Sequence, residues 1–111
     1  MTDNGFYATT PKPPYYAVIF TAVSSDNQQG HDSMGLRMLE LAMQQAGYLG
    51  IELAGDAKNG ITVSYWKDLP SIAAWKKNVD HMAAQKAGRE RWYDSYRVRI
   101  ALVEREYGFT R

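Results

Sequence analysis

Residues Tyr15 to Val23, YYAVIFTAV, form a run of β-branched and aromatic side chains between Pro14 and the polar stretch Ser24 to Gly30. Such a run reads as a strand. Alternate residues of a strand point to opposite faces, so Tyr15, Ala17, Ile19 and Val23 line one face and Tyr16, Val18, Phe20 and Ala22 the other. Both faces are apolar, and both need cover. A fold that packs helices on one side of a sheet leaves the other side to be covered by something else.

The rest of the chain supplies the helices and further strands. From about Asp32 to Ala46, Met34, Met38, Leu41 and Gln45 recur at helical spacing, with Asp32 or Ser33 available as N-cap and Gly47 as a stop. Leu49 to Leu53 and Ile61 to Trp66 alternate as strands, and Gly55 to Gly60, with its Asn59-Gly60 pair, reads as the turn of a hairpin. Asp68 stands ahead of Leu69 and Pro70 as an N-cap, opening a helical region to about Trp92 that bends near Asn78 and ends around Gly88. A last strand alternates from about Tyr96 to Glu106. Residues 1–14, with Pro11, Pro13 and Pro14, read as an extended arm that tolerates trimming, and residues 15–111 as one domain.

The order βαββαβ predicts an α+β, ferredoxin-like fold: a four-stranded antiparallel sheet with both helices on one face. The second face of the sheet is then expected to pack on that of an identical chain, because an isologous contact buries the same apolar patch twice. The chain has 111 residues, 45% of them apolar, which suits one domain with a packed core. Thirteen Lys and Arg against twelve Asp and Glu leave a charge of +1, which disfavours nucleic acid or an anionic membrane as partner. There is no Cys and there are two distant His residues, so disulfides, thiolate chemistry and a dedicated metal site are not expected. With no membrane-spanning run and no signal peptide, the expected location is cytoplasmic.

Aromatic residues make up 13% of the chain, more than packing alone requires, so a pocket or an interface should use some of them. His81, Gln85 and Arg89 are spaced i, i+4, i+8 and share one stripe of a continuous helix, with Trp92 close to the same line. Imidazole, carboxamide and guanidinium together could deprotonate a phenolic substrate and stabilise the oxyanion between indole walls. The competing interpretation is a solvated helix face with Trp75 and Trp92 as core anchors. His31, in the polar loop beside Gly30, reads as solvent-exposed and without a role; Met34, Met38 and Met43 read as core fillers. Arg97, Arg99 and Arg105 with Glu104 and Glu106 read as a solvated strand face or as ion pairs at a dimer edge. No Gly-rich phosphate loop supports a nucleotide or flavin site.

The segments GYLGIE (Gly47 to Glu52), ITVSYW (Ile61 to Trp66) and AWKKNVDHMAAQKAGRERWY (Ala74 to Tyr93) together resemble the antibiotic biosynthesis monooxygenase family. The likeness spans about residues 15 to 109 and is to uncharacterised bacterial members carrying H-x-x-A-Q-x-x-G-R-x-x-W-Y, here His81 to Tyr93. The resemblance implies a dimeric α+β barrel, with a pocket between sheet and helices in each protomer. It further implies oxygenation of polycyclic aromatic or quinol-type substrates without metal, flavin or haem. On this basis His81, Gln85 and Arg89 are the expected catalytic residues, and Phe20, Trp66, Trp75, Trp92 and Tyr93 the expected substrate-binding ones. No cofactor is expected. A haem-degrading branch of the same superfamily uses a strand-one Asn, a helix Trp and a His ten residues beyond it. Here Trp75 is present, but Gln85 stands at the His position and Phe20 and Thr21 offer no Asn. The alternatives are therefore a ligand-binding or interaction protein without turnover, and a haem-binding protein.

Overall fold

The computed structural model describes residues 5–80 and 88–111. Strands β1 (Tyr15–Ser24), β2 (Tyr48–Gly55), β3 (Asn59–Trp66) and β4 (Tyr93–Val103) form one antiparallel sheet in the order β2-β3-β1-β4. Helices α1 (His31–Met43) and α2 (Leu69–Asp80) connect β1 to β2 and follow β3. This is the predicted ferredoxin-like topology, with the doubly apolar β1 in the interior of the sheet. Val18 of β1, Trp66 of β3, Ala42 of α1 and Ile72 of α2 form one buried cluster, with Tyr16, Tyr48 and Trp75 packed against it. Cross-strand partners share a face, and Tyr16 pairs with Trp66. Both helices therefore cover the Tyr16–Val18 face.

Several boundaries differ from the sequence reading. Helix α1 begins at His31, after Gly30 in a left-handed conformation (φ 80°), and has no side-chain cap. Asp32 and Ser33 thus fall inside its first turn instead of capping it. The hairpin loop is shorter than Gly55 to Gly60, because Asp56 closes it: its carboxylate accepts the N–H groups of Lys58 and Asn59 at 2.9 and 2.8 Å. That makes Asn59 and Gly60 the first residues of β3 and not the turn. Gly55 is required there, since at φ 147° a Cβ would come within 2.4 Å of the Asn59 carbonyl oxygen. The Asp68 cap is observed, with its Oδ1 accepting from the Ser71 N–H and hydroxyl at 2.9 and 2.6 Å. Met43, expected in the core, is exposed, because α1 ends there and turns its last residue outward.

Strand β4 begins at Tyr93, three residues earlier than expected, directly after a π-helical turn, Gly88–Trp92. Its pairing with β1 shifts register between Val23 and Ser24, which lets Tyr93 join opposite Ser24. It ends at Val103 opposite Tyr15, where the Pro-rich arm removes the ladder partner.

The arm lies on the second face of the sheet. The Ala8 N–H donates to Glu52 Oε2 (2.9 Å), and the Tyr65 hydroxyl donates to the other oxygen of the same carboxylate (2.7 Å). Glu106, beyond the end of β4, accepts from the Tyr15 hydroxyl (2.6 Å) and from Thr10 (3.1 Å). Glu106 is therefore a bonded acceptor at the arm and not part of a solvated charge run. Gly50 permits the close approach, since a Cβ there would sit 2.6 Å from that of Ala8. The outcome is that Tyr15 and Ala17, on the face reserved for a partner, are already buried within one chain.

Candidate functional site

At the end of β1 away from Trp66, a cleft of about 380 Å³ opens on the helix side of the sheet. Phe20, Ala22, Gly60 and Thr62 line it from β1 and β3, Leu53 from β2, and His31 and Tyr93 from the starts of α1 and β4. The floor is made of small residues, and Phe20 and Tyr93 provide aromatic surface.

The aromatic group is held by mutual edge and face contacts. Phe20 meets Tyr93 edge-on (5.4 Å between ring centres) and stacks on Tyr96 (5.3 Å). His31 meets Trp92 edge-on at 5.1 Å, and its Nε2 lies 3.2 Å from the Tyr93 hydroxyl. Trp92 is almost wholly buried, and its indole N–H donates to the Gln29 carbonyl at 2.9 Å. Its own carbonyl accepts from the Ser25 N–H and the Gln28 side chain, both at 2.8 Å. Trp92 thus fastens the loop between β1 and α1, and through it places His31. Burial, and to a lesser degree the neighbouring Tyr96, pushes the Tyr93 hydroxyl above its ordinary range, so it keeps its proton at neutral pH.

The sequence-predicted site residues divide into three groups. Phe20 and Tyr93 line the cleft, and Trp92 is buried behind it against His31. Trp66 and Trp75 do not join them: Trp66 pairs across from Tyr16 and Phe20 from Thr62, a separation of four residues, or about 13 Å, along the strand. Trp66 is fully buried with its indole N–H on the Ser64 hydroxyl (2.9 Å), and Trp75 lies against it, ring centres 5.3 Å apart. The Trp75 indole nitrogen is buried without an acceptor among the described residues. Both are core residues in this arrangement. His81 and Gln85 lie outside the described residues. Arg89 falls in the π-helical turn, where the 3.6-residue periodicity that would carry a stripe on to Trp92 does not hold.

His31 is the residue that sequence reasoning missed. It is half-buried at the first position of α1, bonded and ring-packed, and not free in solvent. The available signal was Gly30, whose left-handed backbone starts the helix one residue earlier and turns the next side chain toward the β4 end. Among the described residues no group of three or more His, Asp or Glu is placed to share a metal ion, and no helix is long and apolar enough to cross a membrane.

Fold and cleft together define an α+β protein of the ferredoxin-like kind. The fold is similar to that of SnoaB, a cofactor-independent oxygenase from Streptomyces nogalater (TM-score 0.69, 10% identity, 84% of this chain and 95% of that one). It is also similar to a Chloroflexus aurantiacus protein provisionally named an antibiotic biosynthesis monooxygenase (TM-score 0.51, 19% identity, 85% of this chain and 99% of that one). At these identities the likeness concerns the fold alone. No established family profile matches the chain. In sequence it is 47% identical over 102 residues to the uncharacterized protein YqjZ of Bacillus subtilis, covering 91% of this chain and 90% of that protein. The chain belongs to the YqjZ family.

Proposed function

We propose that this protein is a cofactor-independent monooxygenase of the antibiotic biosynthesis type, acting on a phenol- or quinol-type aromatic held in the cleft beside Phe20 and Tyr93. The observation that carries the reading is the cleft itself: aromatic walls, a floor of small residues, and a His–Tyr hydrogen bond at its edge. The fold shared with SnoaB supports it. A deprotonated electron-rich ring can itself reduce oxygen, so the protein needs only to bind, deprotonate and exclude water. In this reading His81 is the general base, and Gln85 and Arg89 orient the ring and stabilise its oxyanion. No metal, flavin or haem takes part. The protein works in the cytoplasm as a homodimer joined sheet to sheet.

The test is oxygen uptake by metal-free protein against dihydroxy-aromatics and anthrone-like compounds, with His81→Ala alongside. Uptake above autoxidation that is lost in the variant is the expected result. Saturable binding with no uptake across the panel would replace the enzyme with a ligand-binding protein of the same fold. A haem-binding role would show instead as a Soret band on titration with haem.

A further inference from the structure

We propose that His31 and Tyr93 form a two-residue proton relay that ionises a ring hydroxyl of the bound ligand. The inference rests on the reading that the cleft binds hydroxylated aromatics, and gives the proton to these two residues in place of His81. Both residues line the cleft, and His31 Nε2 and the Tyr93 oxygen are 3.2 Å apart, a hydrogen-bond distance. Neither ring depends on the ligand for its position. Trp92 backs the imidazole, and Phe20 and Tyr96, stacked on each other, both pack against the phenol. Catalytic groups fixed in this way by their neighbours lose little freedom when a ligand arrives.

The direction of the relay follows from the hydrogen bond between the two rings. In the tautomer whose Nε2 is the acceptor, the Tyr93 hydroxyl donates to it and leaves oxygen lone pairs to accept from a ligand. When the ligand O–H breaks, its proton goes to the Tyr93 oxygen as the Tyr93 proton goes to Nε2. The products are a ligand phenolate, an unchanged Tyr93 and an imidazolium at His31; no electrons are exchanged. Among the described residues, Tyr96, 5.8 Å from Tyr93 between ring centres, and Asp56 on the cleft lining also lie at this end of the sheet, and the Arg91 guanidinium stands 5.7 Å from the Trp92 ring that packs on His31. Backbone N–H groups of Asn59 and Lys58 hold the Asp56 carboxyl below its ordinary range, so it is an anion at neutral pH. At the rim, Lys58 and Asp94 pair at 3.2 Å and largely offset one another.

The probes are 4-nitrophenol, whose phenolate absorbs visibly, and nitrobenzene, which has no hydroxyl. With the full chain, bound 4-nitrophenol should ionise at least one pH unit below the free compound, a tenfold larger phenolate fraction on the acid side. His31→Gln and Tyr93→Phe, which keep the size of the residue or the ring, should return the midpoint to that of free 4-nitrophenol while nitrobenzene affinity changes less than about threefold. An unmoved midpoint in both variants, with binding intact, would overturn the relay and leave the ligand reading standing. A shift lost in His81→Ala but kept in His31→Gln would also overturn it, by giving the proton to His81. Failure of the wild-type protein to bind either probe would remove the cleft reading and the relay with it.

Discussion

Gly60 offers a perturbation in which stability and ligand binding should move in opposite directions. It stands on β3 across from Ala22, in the cleft floor, and its backbone is not in the left-handed region. A Cβ added there would meet nothing closer than the Ala54 carbonyl oxygen at 3.9 Å. Glycine is therefore not needed for the fold at this position, and it carries the entropic cost that glycine imposes on any strand. Gly60→Ala should stabilise the protein by about 0.4–1 kcal/mol by restricting the unfolded chain, which raises Tm by about 2–6 °C in a domain of this size. Gly60→Val should keep that gain through its strand preference and fill the floor beneath the ligand. Thermal unfolding followed by circular dichroism gives the first quantity, and 4-nitrophenol titration followed by tryptophan fluorescence the second. We expect Val to weaken binding at least about tenfold, equivalent to about 1.4 kcal/mol, in a protein at least as stable as wild type. A fall in Tm for Gly60→Ala would refute the strand geometry. Unchanged affinity in Gly60→Val would refute the cleft as the binding site.

Three further outcomes follow from the same geometry. Ser64→Ala leaves the fully buried Trp66 indole N–H without its acceptor and should cost about 1–3 kcal/mol in urea denaturation; a cost near zero would mean that the bond contributes nothing. Removal of residues 1–10 takes the Ala8 and Thr10 donors from Glu52 and Glu106 and should destabilise the domain by about 1–3 kcal/mol. Unchanged stability would return the arm to the status of a free tail. Tyr15, Tyr48, Tyr65 and Tyr93 all hold their protons above the ordinary value of 10.0, in each case chiefly through burial. Above pH 10 the unfolded chain loses these protons before the folded one, so stability is full below that pH and falls as pH rises past it. Phenolate absorbance should then show these tyrosines titrating late and together with loss of tertiary structure, whereas eight tyrosines titrating normally in an intact fold would contradict the buried hydroxyls.

Element order was legible because it is written in short-range periodicity. The alternation of Ile61, Val63 and Tyr65, the recurrence of Met38 and Leu41, and the Asp68 cap each act within a few residues. The misreading of His31 came from a partner far along the chain. His31 and Tyr93 are 62 residues apart, and nothing in the neighbourhood of either names the other. Glu52 alternates with the apolar Ile51 and Leu53 of its strand, yet its carboxylate joins the arm to β3, which needs the absent Cβ of Gly50 to bring Ala8 within reach. The Asn59-Gly60 pair is a strong turn signal in isolation, but Asp56 closes the loop first and leaves the pair to the strand. Trp66 and Trp75 illustrate the same limit from the other side. Indole surface in a sequence is equally good core and pocket wall, and only the register of β1 with β3 places these two with Tyr16 and away from Phe20.

The two apolar faces of β1 meet three different kinds of cover, and this separates the questions of stability, assembly and function. On the helix side, the Tyr16–Val18 half is sealed by Trp66, Ala42 and Ile72, while the Phe20–Ala22 half stays open as the cleft. On the second side, the Tyr15–Ala17 half is closed by the arm, whose polar groups reach acceptors on Glu52 and Glu106, so that this surface is complete in one chain. What remains for a partner on this second side is the other half, around Ile19, Val63 and the exposed Ile61, bordered by the exposed Arg97 and Arg99 of β4. A partner seated there would lie directly behind the strands whose opposite faces carry Phe20 and Thr62. Assembly would then stiffen the cleft floor without contributing a side chain to it, and His31, Tyr93 and the small residues beneath them would remain a site that each chain builds for itself.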